Sequence, residues 1–161
     1  MKRAPVFLLV LFLLPSTVSA LGRGERHWYG LGAGWTAGKD SRPAGLLVAG
    51  GLWAGMFGMG GIFQFPLDET VPGQEEFTAL GSLDYFLYQG RTHLALLAGA
   101  TEFQRTDGSD YVARFTVGGR FAWTVPLTPR WHLGVSVMPL WTPSWTPNFR
   151  MGLSVEMQLR Y

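Results

Sequence analysis

Residues 149–161 read FRMGLSVEMQLRY, and the alternation within this stretch decides the fold. Its odd positions are apolar or aromatic, and its even positions are polar, charged or glycine. Because side chains on a β-strand point alternately to two faces, the pattern predicts a strand with one apolar face and one polar face. The 13 residues exceed the roughly 5–6 of a usual strand in a soluble protein.

The same alternation recurs along the rest of the chain. The two faces of 92–103 stay unassigned, because His93 and Glu102 fall on opposite faces unless a bulge intervenes near Gly99. In total the pattern predicts eight strands, at 27–37, 44–54, 57–65, 77–88, 92–103, 111–125, 131–140 and 149–161.

Residues 44–65 allow two interpretations. They carry no charged residue, and they are long enough for a transmembrane helix. Seven glycines between positions 44 and 63 lower the helix propensity of the segment, and the flanking segments have a period of two. A β-hairpin with strands at 44–54 and 57–65 is therefore favoured over the helix of an inner-membrane protein.

The N-terminus has the pattern of a secretory signal peptide. Lys2 and Arg3 precede an apolar run at 6–14, and small residues at 18–20 predict cleavage after Ala20. The run is too short to span a membrane as a helix, which takes roughly 20 residues. The chain contains no cysteine, which excludes disulfides, thiolate metal sites and lipoprotein attachment.

Removal of residues 1–20 changes the charge balance. It leaves 11 basic and 11 acidic residues, so the basic pI of the whole chain gives no support for a nucleic-acid partner. Charged residues make up 15% of the chain, against about 25% in ordinary soluble domains. The low fraction indicates a surface that does not face water everywhere.

The strand lengths indicate a barrel in a membrane. Tilted strands of roughly 9–11 residues cross the apolar layer of a bilayer, and a sheet in lipid must close because unpaired backbone groups find no water there. The connections 38–43, 66–76, 104–110 and 141–148 are longer than the turns near 55–56, 89–91 and 126–129, as in outer-membrane barrels. Residues 21–161 are therefore predicted to form an all-β, closed, antiparallel eight-stranded transmembrane up-and-down β-barrel.

Aromatic residues fall near the ends of the predicted strands. Tyr111 and Trp123 share one face twelve positions apart, which is about 40 Å along a strand and about 30 Å along the membrane normal. Phe149 and Tyr161 have the same separation. Two interface girdles are expected, one of Tyr29, Trp123, Trp131 and Tyr161 at the periplasmic side and one of Trp35, Tyr111 and Phe149 at the outer side.

The final strand resembles the C-terminal assembly signal of bacterial outer-membrane barrels. It has a terminal aromatic residue and apolar residues at alternate positions before it, namely Leu153, Val155, Met157, Leu159 and Tyr161. The resemblance implies recognition by the barrel-assembly machinery. The size and strand number resemble the small barrels of the OmpA/OmpX type.

A barrel of eight strands has an interior that side chains just fill. The charged residues expected to form an interior network are Asp84, Arg114, Arg120, Arg150, Glu156 and Arg160. Because an unpaired buried charge is very costly, Glu156 is expected to pair with Arg114, Arg120 or Arg150.

Three inward positions, His132, Ser136 and Glu156, are weak catalytic candidates. Small lipid A deacylases use these residue types, but His132 and Ser136 lie four residues apart, roughly 13 Å along a strand and beyond hydrogen-bond reach. The sequence therefore favours an integral outer-membrane protein with a plugged polar lumen and a structural or surface-interaction role. A lipid A-modifying enzyme and a narrow pore are the alternatives.

No metal site and no cofactor are predicted. The expected partners are outer-membrane lipids and lipopolysaccharide, with the assembly machinery during biogenesis and no nucleic acid. The chain is expected to be a monomer in the bacterial outer membrane.

Deletion of Tyr161 tests the assembly signal. The deletion should lower the yield of the protein in the outer membrane more than Glu156→Gln does, because Tyr161 belongs to the signal and Glu156 faces the interior. Quantitative immunoblots of outer-membrane fractions measure the two yields. An equal yield for the deletion variant and the wild type would contradict the targeting role.

Overall fold

The structure is a computed structural model and describes residues 26–37, 42–66, 75–87, 91–104, 111–144 and 148–161. Side chains at several strand ends, among them those of Trp35 and Tyr111, are outside this description. The predicted signal peptide, residues 1–20, also lies outside the described residues.

Eight strands form, and no strand end lies more than two residues from its predicted position. Their bounds are β1 Arg26–Ala37, β2 Arg42–Ala54, β3 Phe57–Pro66, β4 Glu75–Leu87, β5 Thr92–Gln104, β6 Tyr111–Pro126, β7 Trp131–Trp141 and β8 Phe149–Arg160. The described ranges contain no helix that is long and apolar enough to cross a membrane.

The strands form a closed antiparallel barrel in chain order. β1 pairs with β2 on one side and with β8 on the other, where the register runs from Trp28 opposite Arg160 to Ala37 opposite Met151. The predicted eight-stranded up-and-down barrel is thus confirmed. Every described strand has a neighbour on both edges, so the sheet offers no free edge to pair with another chain.

The glycine-rich segment 44–65 is a β-hairpin, as the sequence favoured. Ala54 pairs with Phe57 across the turn, and Gly55 adopts a φ of 63°. This left-handed conformation is readily reached by glycine but strained for other residues. Gly55 therefore allows the uncharged segment to reverse direction and run as two strands.

The barrel has two different ends. The turn end carries the connections 55–56, 88–91 and 127–130, and the loop end carries the connections 38–41, 67–74, 105–110 and 142–148. The last three of the loop end are longer than every turn, whereas 38–41, predicted to be a longer connection, has the same four residues as 88–91 and 127–130. At the turn end, the backbones of Tyr161 and His27 exchange two hydrogen bonds, of 2.9 and 3.2 Å, which join the end of the chain to β1.

The structure shows which side chains of β5 point into the barrel, a question that the sequence did not decide. His93, Leu97 and Thr101 are buried in the interior, whereas Leu96 and the other even positions lie on the outer face. The register with β6 runs without a shift from Thr92 to Gln104, so no bulge occurs near Gly99. Glu102 therefore shares the outer face, on which it is partly exposed.

Gly99 is a position where neighbouring backbones approach closely. A Cβ atom on Gly99 would collide with the carbonyl oxygen of Ala79, whereas a Cβ atom on Gly81 would meet only the carbonyl oxygen of Ala98, at 3.6 Å. Gly99→Ala should therefore lower the free energy of unfolding by about 1–3 kcal/mol, and Gly81→Ala should change it by about 0.5 kcal/mol or less.

Urea unfolding of the folded barrel in lipid vesicles, followed by tryptophan fluorescence, measures both free energies. Equal unfolding free energies for the two alanine variants would contradict the close approach at Gly99.

Candidate functional site

The interior of the barrel contains an ion pair between Arg120 of β6 and Glu156 of β8. The Arg120 Nη2 atom donates a hydrogen bond to Glu156 Oε1, and both side chains are fully buried. Strand β7 lies between them and presents Gly134 opposite Glu156. A Cβ atom on Gly134 would come closest to Thr124 Cγ2, at 2.7 Å, and would lie 3.6 Å from Glu156 Cγ, so this glycine leaves room for the Thr124 and Glu156 side chains on either side of β7.

Two further glycines make room for the same carboxylate. Gly30 and Gly32 face the interior from β1, and Gly32 lies opposite Glu156. A Cβ atom on Gly30 would lie 3.1 Å from Glu156 Oε2, and one on Gly32 would lie 2.8 Å from the Glu156 Cβ atom. The alternating glycines of β1 therefore provide the space that the Glu156 side chain occupies.

A second buried pair joins Asp84 of β4 and His93 of β5. Asp84 Oδ1 lies 2.7 Å from His93 Nε2, and Asp84 Oδ2 accepts a hydrogen bond of 3.0 Å from Ser82. The His93 ring stacks on Phe86, with centroids 4.4 Å apart and planes 18° apart. This packing holds the imidazole in one orientation.

Arg120 connects the two pairs. Its Nη1 atom lies 3.4 Å from His93 Nδ1, and its guanidinium carbon lies 5.5 Å from the centre of the Trp28 ring. With the imidazole proton on Nε2, His93 donates to Asp84 and accepts from Arg120, so a single tautomer satisfies both contacts.

The network continues toward the turn end through β8. Gln158 donates to Glu156 Oε2 at 3.2 Å and accepts from Arg160, whose Nη2 atom lies 2.7 Å away. The same Arg160 nitrogen donates to the Thr124 hydroxyl at 3.1 Å. Polar contacts therefore run without interruption from Ser82 on β4 to Arg160 on β8.

A separate polar cluster lies nearer the loop end. Arg150 Nη2 donates to the hydroxyls of Thr101 and Thr142, at 3.1 and 3.2 Å. Thr116 lies 3.0 Å from the Thr101 hydroxyl and 2.8 Å from that of Thr142. The guanidinium of Arg150 also lies over the Phe103 ring, 5.0 Å from its centre.

The interior is not uniformly polar. An apolar cluster is formed mainly by inward residues of β2 to β5, with further members from β1 and β7, and includes Trp28, Leu47, Ala49, Trp53, Ile62, Leu80, Phe86, Ala95, Leu97, Met138 and Leu140. Strands β2 and β3 have no charged residue between positions 44 and 65. The buried charges are carried by Asp84 on β4, Arg120 on β6 and three residues of β8.

The predicted interior residues take different places. Asp84, Arg120, Glu156 and Arg160 belong to the continuous network, and Arg150 belongs to the threonine cluster. Arg114 is half-buried on the same face of β6 as Arg120, but none of the ion pairs in the described part of the chain includes it.

The weak catalytic candidates are not arranged as a triad. The structure brings Ser136 and Glu156 together, since the Ser136 hydroxyl contacts both the Ser154 hydroxyl, at 2.6 Å, and the Glu156 carboxylate, which pairs with Arg120. His132 lies opposite Gln158, and its Nδ1 atom is buried without a hydrogen-bond partner. Among the described residues, no group of three or more His, Cys, Asp or Glu side chains could hold a metal ion.

The sequence analysis missed His93 as the partner of Asp84. The register places Asp84 opposite Ala95 and Phe86 opposite His93. A change of one residue in the register between β4 and β5 would move His93 to the other face of the sheet. The alternation within 92–103 does not fix this register to a single residue. The aromatic residues that neighbour Asp84 and His93 in the sequence did not indicate which face His93 occupies.

The solved structures that resemble this chain include two small barrels of bacterial surface proteins. Neisserial surface protein A (NspA) is 13% identical, with a TM-score of 0.56 over 86% of this chain and 98% of NspA. The attachment invasion locus protein Ail of Yersinia pestis is 11% identical, with a TM-score of 0.56 over 86% of this chain and 100% of Ail. Both are small eight-stranded outer-membrane barrels.

The chain folds as a barrel of the outer-membrane type. Its sequence matches no protein family profile and no curated protein. The likeness to NspA and Ail is therefore one of architecture, namely the closed antiparallel eight-stranded barrel that the sequence predicted.

The outer face of this outer-membrane-type barrel is apolar. Large exposed side chains on it include Tyr29, Trp123, Trp131, Phe149 and Tyr161 from the predicted girdles. The side chains of Trp35 and Tyr111, the other two girdle positions, are outside the described residues. Trp141 and Phe57 are also exposed near strand ends and were not among the predicted girdle residues.

The proposed assembly-signal residues all lie on this outer face. Leu153, Val155, Met157 and Tyr161 are exposed, and Leu159 is partly exposed. The even positions of β8 from Arg150 to Arg160 are buried in the interior. The alternation of apolar and polar residues in β8 therefore corresponds to an exposed outer face and a buried inner face of the barrel.

A double-mutant cycle on Arg120 and Glu156 tests the buried ion pair. Arg120→Met leaves the Glu156 carboxylate without its cation and should lower the free energy of unfolding by about 3–5 kcal/mol. Adding Glu156→Gln removes the unpaired charge, so the double variant should be more stable than Arg120→Met alone. Urea unfolding in vesicles measures the three variants, and strictly additive effects would contradict the coupling.

Proposed function

We propose that this chain is an integral outer-membrane protein whose interior is closed by its own side chains and whose role is structural or one of surface interaction. The observation that carries the proposal is the buried network across the interior. Asp84 is 3% exposed, His93 0%, Arg120 2% and Glu156 1%. These side chains bind one another, and the apolar cluster occupies much of the remaining interior.

The proposed location follows from three features. The N-terminal segment has the signal-peptide pattern, the odd positions of β8 match the assembly signal, and the outer face carries exposed apolar side chains. With the N-terminus in the periplasm after removal of residues 1–20, the turn end lies in the periplasm. The longer connections then lie outside the cell.

The exposed aromatic residues support two membrane-interface girdles. Tyr29, Trp131 and Tyr161 lie on the outer face near the turn end, whereas Phe149 and Trp141 lie opposite each other near the loop end. Aromatic rings with a polar edge favour the headgroup level of a bilayer. The two groups therefore fit the two faces of the membrane.

The interior geometry argues against the lipid A-modifying alternative. The Ser136 hydroxyl is engaged with Ser154, and the Glu156 carboxylate is engaged with Arg120. Both side chains are buried inside the barrel, where a lipid in the surrounding membrane would not reach them. Release of an acyl chain from lipopolysaccharide by the purified barrel, detected by mass spectrometry, would establish the enzymatic alternative instead.

The surface role is proposed without a named external partner. The solved structure of Ail contains a heparin analogue, sucrose octasulfate, which is a polyanion. Here the sequence around the connection 67–74 carries four carboxylates, those of Asp68 and Glu69 in the connection and of Glu75 and Glu76 at the start of β4, which would repel such a ligand. The partners proposed for the apolar outer face of the barrel are outer-membrane lipids and the acyl chains of lipopolysaccharide, and the proposed state is a monomer.

Single-channel recording tests the closed interior. The wild-type protein in a planar lipid bilayer should show no discrete conductance steps, because paired side chains occupy the path between the two ends. The wild type and Arg120→Ala should be inserted at the same density, and heat-modifiable gel migration should verify that each protein is folded. Discrete openings of the wild type that disappear in Arg120→Ala would overturn the proposal and support a narrow pore.

A further inference from the structure

An apolar layer lies between the two polar parts of the barrel interior. On β4, Leu80 is the inward residue between Ser82, which belongs to the continuous network, and Thr78, which belongs to the threonine cluster. Along β7, the inward residues between Ser136 and Thr142 are both apolar. The inward positions between the two polar parts on β5, β6 and β7 include Leu97, Gly118, Met138 and Leu140.

Six large apolar side chains form this layer, which we call the apolar septum. Its members are Leu47, Ile62, Leu80, Leu97, Met138 and Leu140, and each is at most 3% exposed. All six belong to one contiguous buried cluster, and Ile62 lies opposite Leu80 in the register of β3 and β4. Strands β2, β3, β4, β5 and β7 supply these side chains, so the septum extends around much of the barrel.

On the side formed by β6, β7 and β8, the septum depends on two side chains of β7. Gly118 of β6 lies opposite Leu140, and Gly152 of β8 lies opposite Met138. A Cβ atom on Gly118 would lie 2.8 Å from Leu140 Cδ2, and one on Gly152 would lie 3.3 Å from Met138 Cε. Met138 and Leu140 therefore occupy the space that the two glycines leave on either side of β7.

Hydroxyl groups approach this part of the septum from both ends of the barrel. On the side of the turn end, the Ser136 hydroxyl lies 2.6 Å from that of Ser154. On the side of the loop end, the Thr116 hydroxyl lies 2.8 Å from that of Thr142. Two successive inward residues of β7, both apolar, separate the two hydroxyl pairs along this strand.

We propose that the apolar septum is the barrier to water and ions inside the barrel. The inference rests on the proposed closed interior and names the part of it that excludes ions. An ion that leaves water for an apolar layer loses its hydration without gaining partners, which is very costly. Apolar constrictions in channels block ions in this way, by excluding water. The septum contains no ionisable group, so the barrier does not depend on the pairing of Arg120 with Glu156.

Recording from planar lipid bilayers tests the septum with a serine variant of β7. Met138→Ser combined with Leu140→Ser shortens both side chains and places hydroxyls between the two existing hydroxyl pairs. This variant should show discrete conductance steps, because water and ions then find polar partners along the whole path. The wild type, recorded in the same series at the same inserted density, should show none.

Met138→Ala combined with Leu140→Ala is the matched control. Alanine leaves nearly the same space as serine but adds no hydroxyl, and a small apolar cavity in a protein stays dry. The serine variant should therefore open at least about tenfold more often than the alanine variant. Equal opening frequencies of the two variants, or a silent serine variant, would overturn the septum as the barrier.

Heat-modifiable gel migration verifies that each variant is folded. If a double variant does not fold, Met138→Ser and Met138→Ala make the same comparison with one shortened side chain, and the leak of potassium ions from vesicles at equal protein density measures it. A higher leak for Met138→Ser supports the septum, and equal leaks would overturn it.

Two further outcomes separate this inference from the proposed function. Openings of Arg120→Met combined with Glu156→Gln, together with a silent serine variant, would assign the barrier to the ion pair and overturn the septum alone. Openings of the wild type would contradict the closed interior itself, and with it the septum.

Discussion

Closure of the sheet between β1 and β8 is the constraint on which the rest of the structure depends. The two strands pair from Trp28 opposite Arg160 to Ala37 opposite Met151, so the first and last strands complete each other. In a bilayer the backbone groups of an open edge would have no water to bind. Closure also encloses every inward side chain in one narrow space, and it therefore decides which residues become neighbours.

That narrow space explains the distribution of glycine and charge. Large inward side chains lie beside glycines, as Glu156 lies beside Gly30 and Gly134. Charges inside must have partners because an isolated buried charge is very costly, and Glu156 has one in Arg120. Where β2 and β3 supply no charges, the interior is filled by apolar side chains such as Leu47.

The sequence predicted the strands well because a period of two is a local signal that survives in any closed sheet. It placed the 44–65 hairpin and the two faces of β8, and both agree with the structure. It left three possible arginine partners for Glu156, since face and register alone do not say which side chain reaches across β7. It did not decide on which face His93 lies, because a shift of one residue in the register of the hairpin would reverse that face.

The sequence by itself determined eight strands and, for the best-patterned of them such as β8, which face is apolar, because the alternation of residue types follows the two environments directly. Only the tertiary structure decided which side chains meet inside. Asp84 meets His93 because β4 and β5 have one particular register, and Arg120 meets Glu156 because closure of the barrel brings the inward faces of β6 and β8 together across β7. Such contacts depend on curvature, register and the space left by neighbours, which no single strand specifies.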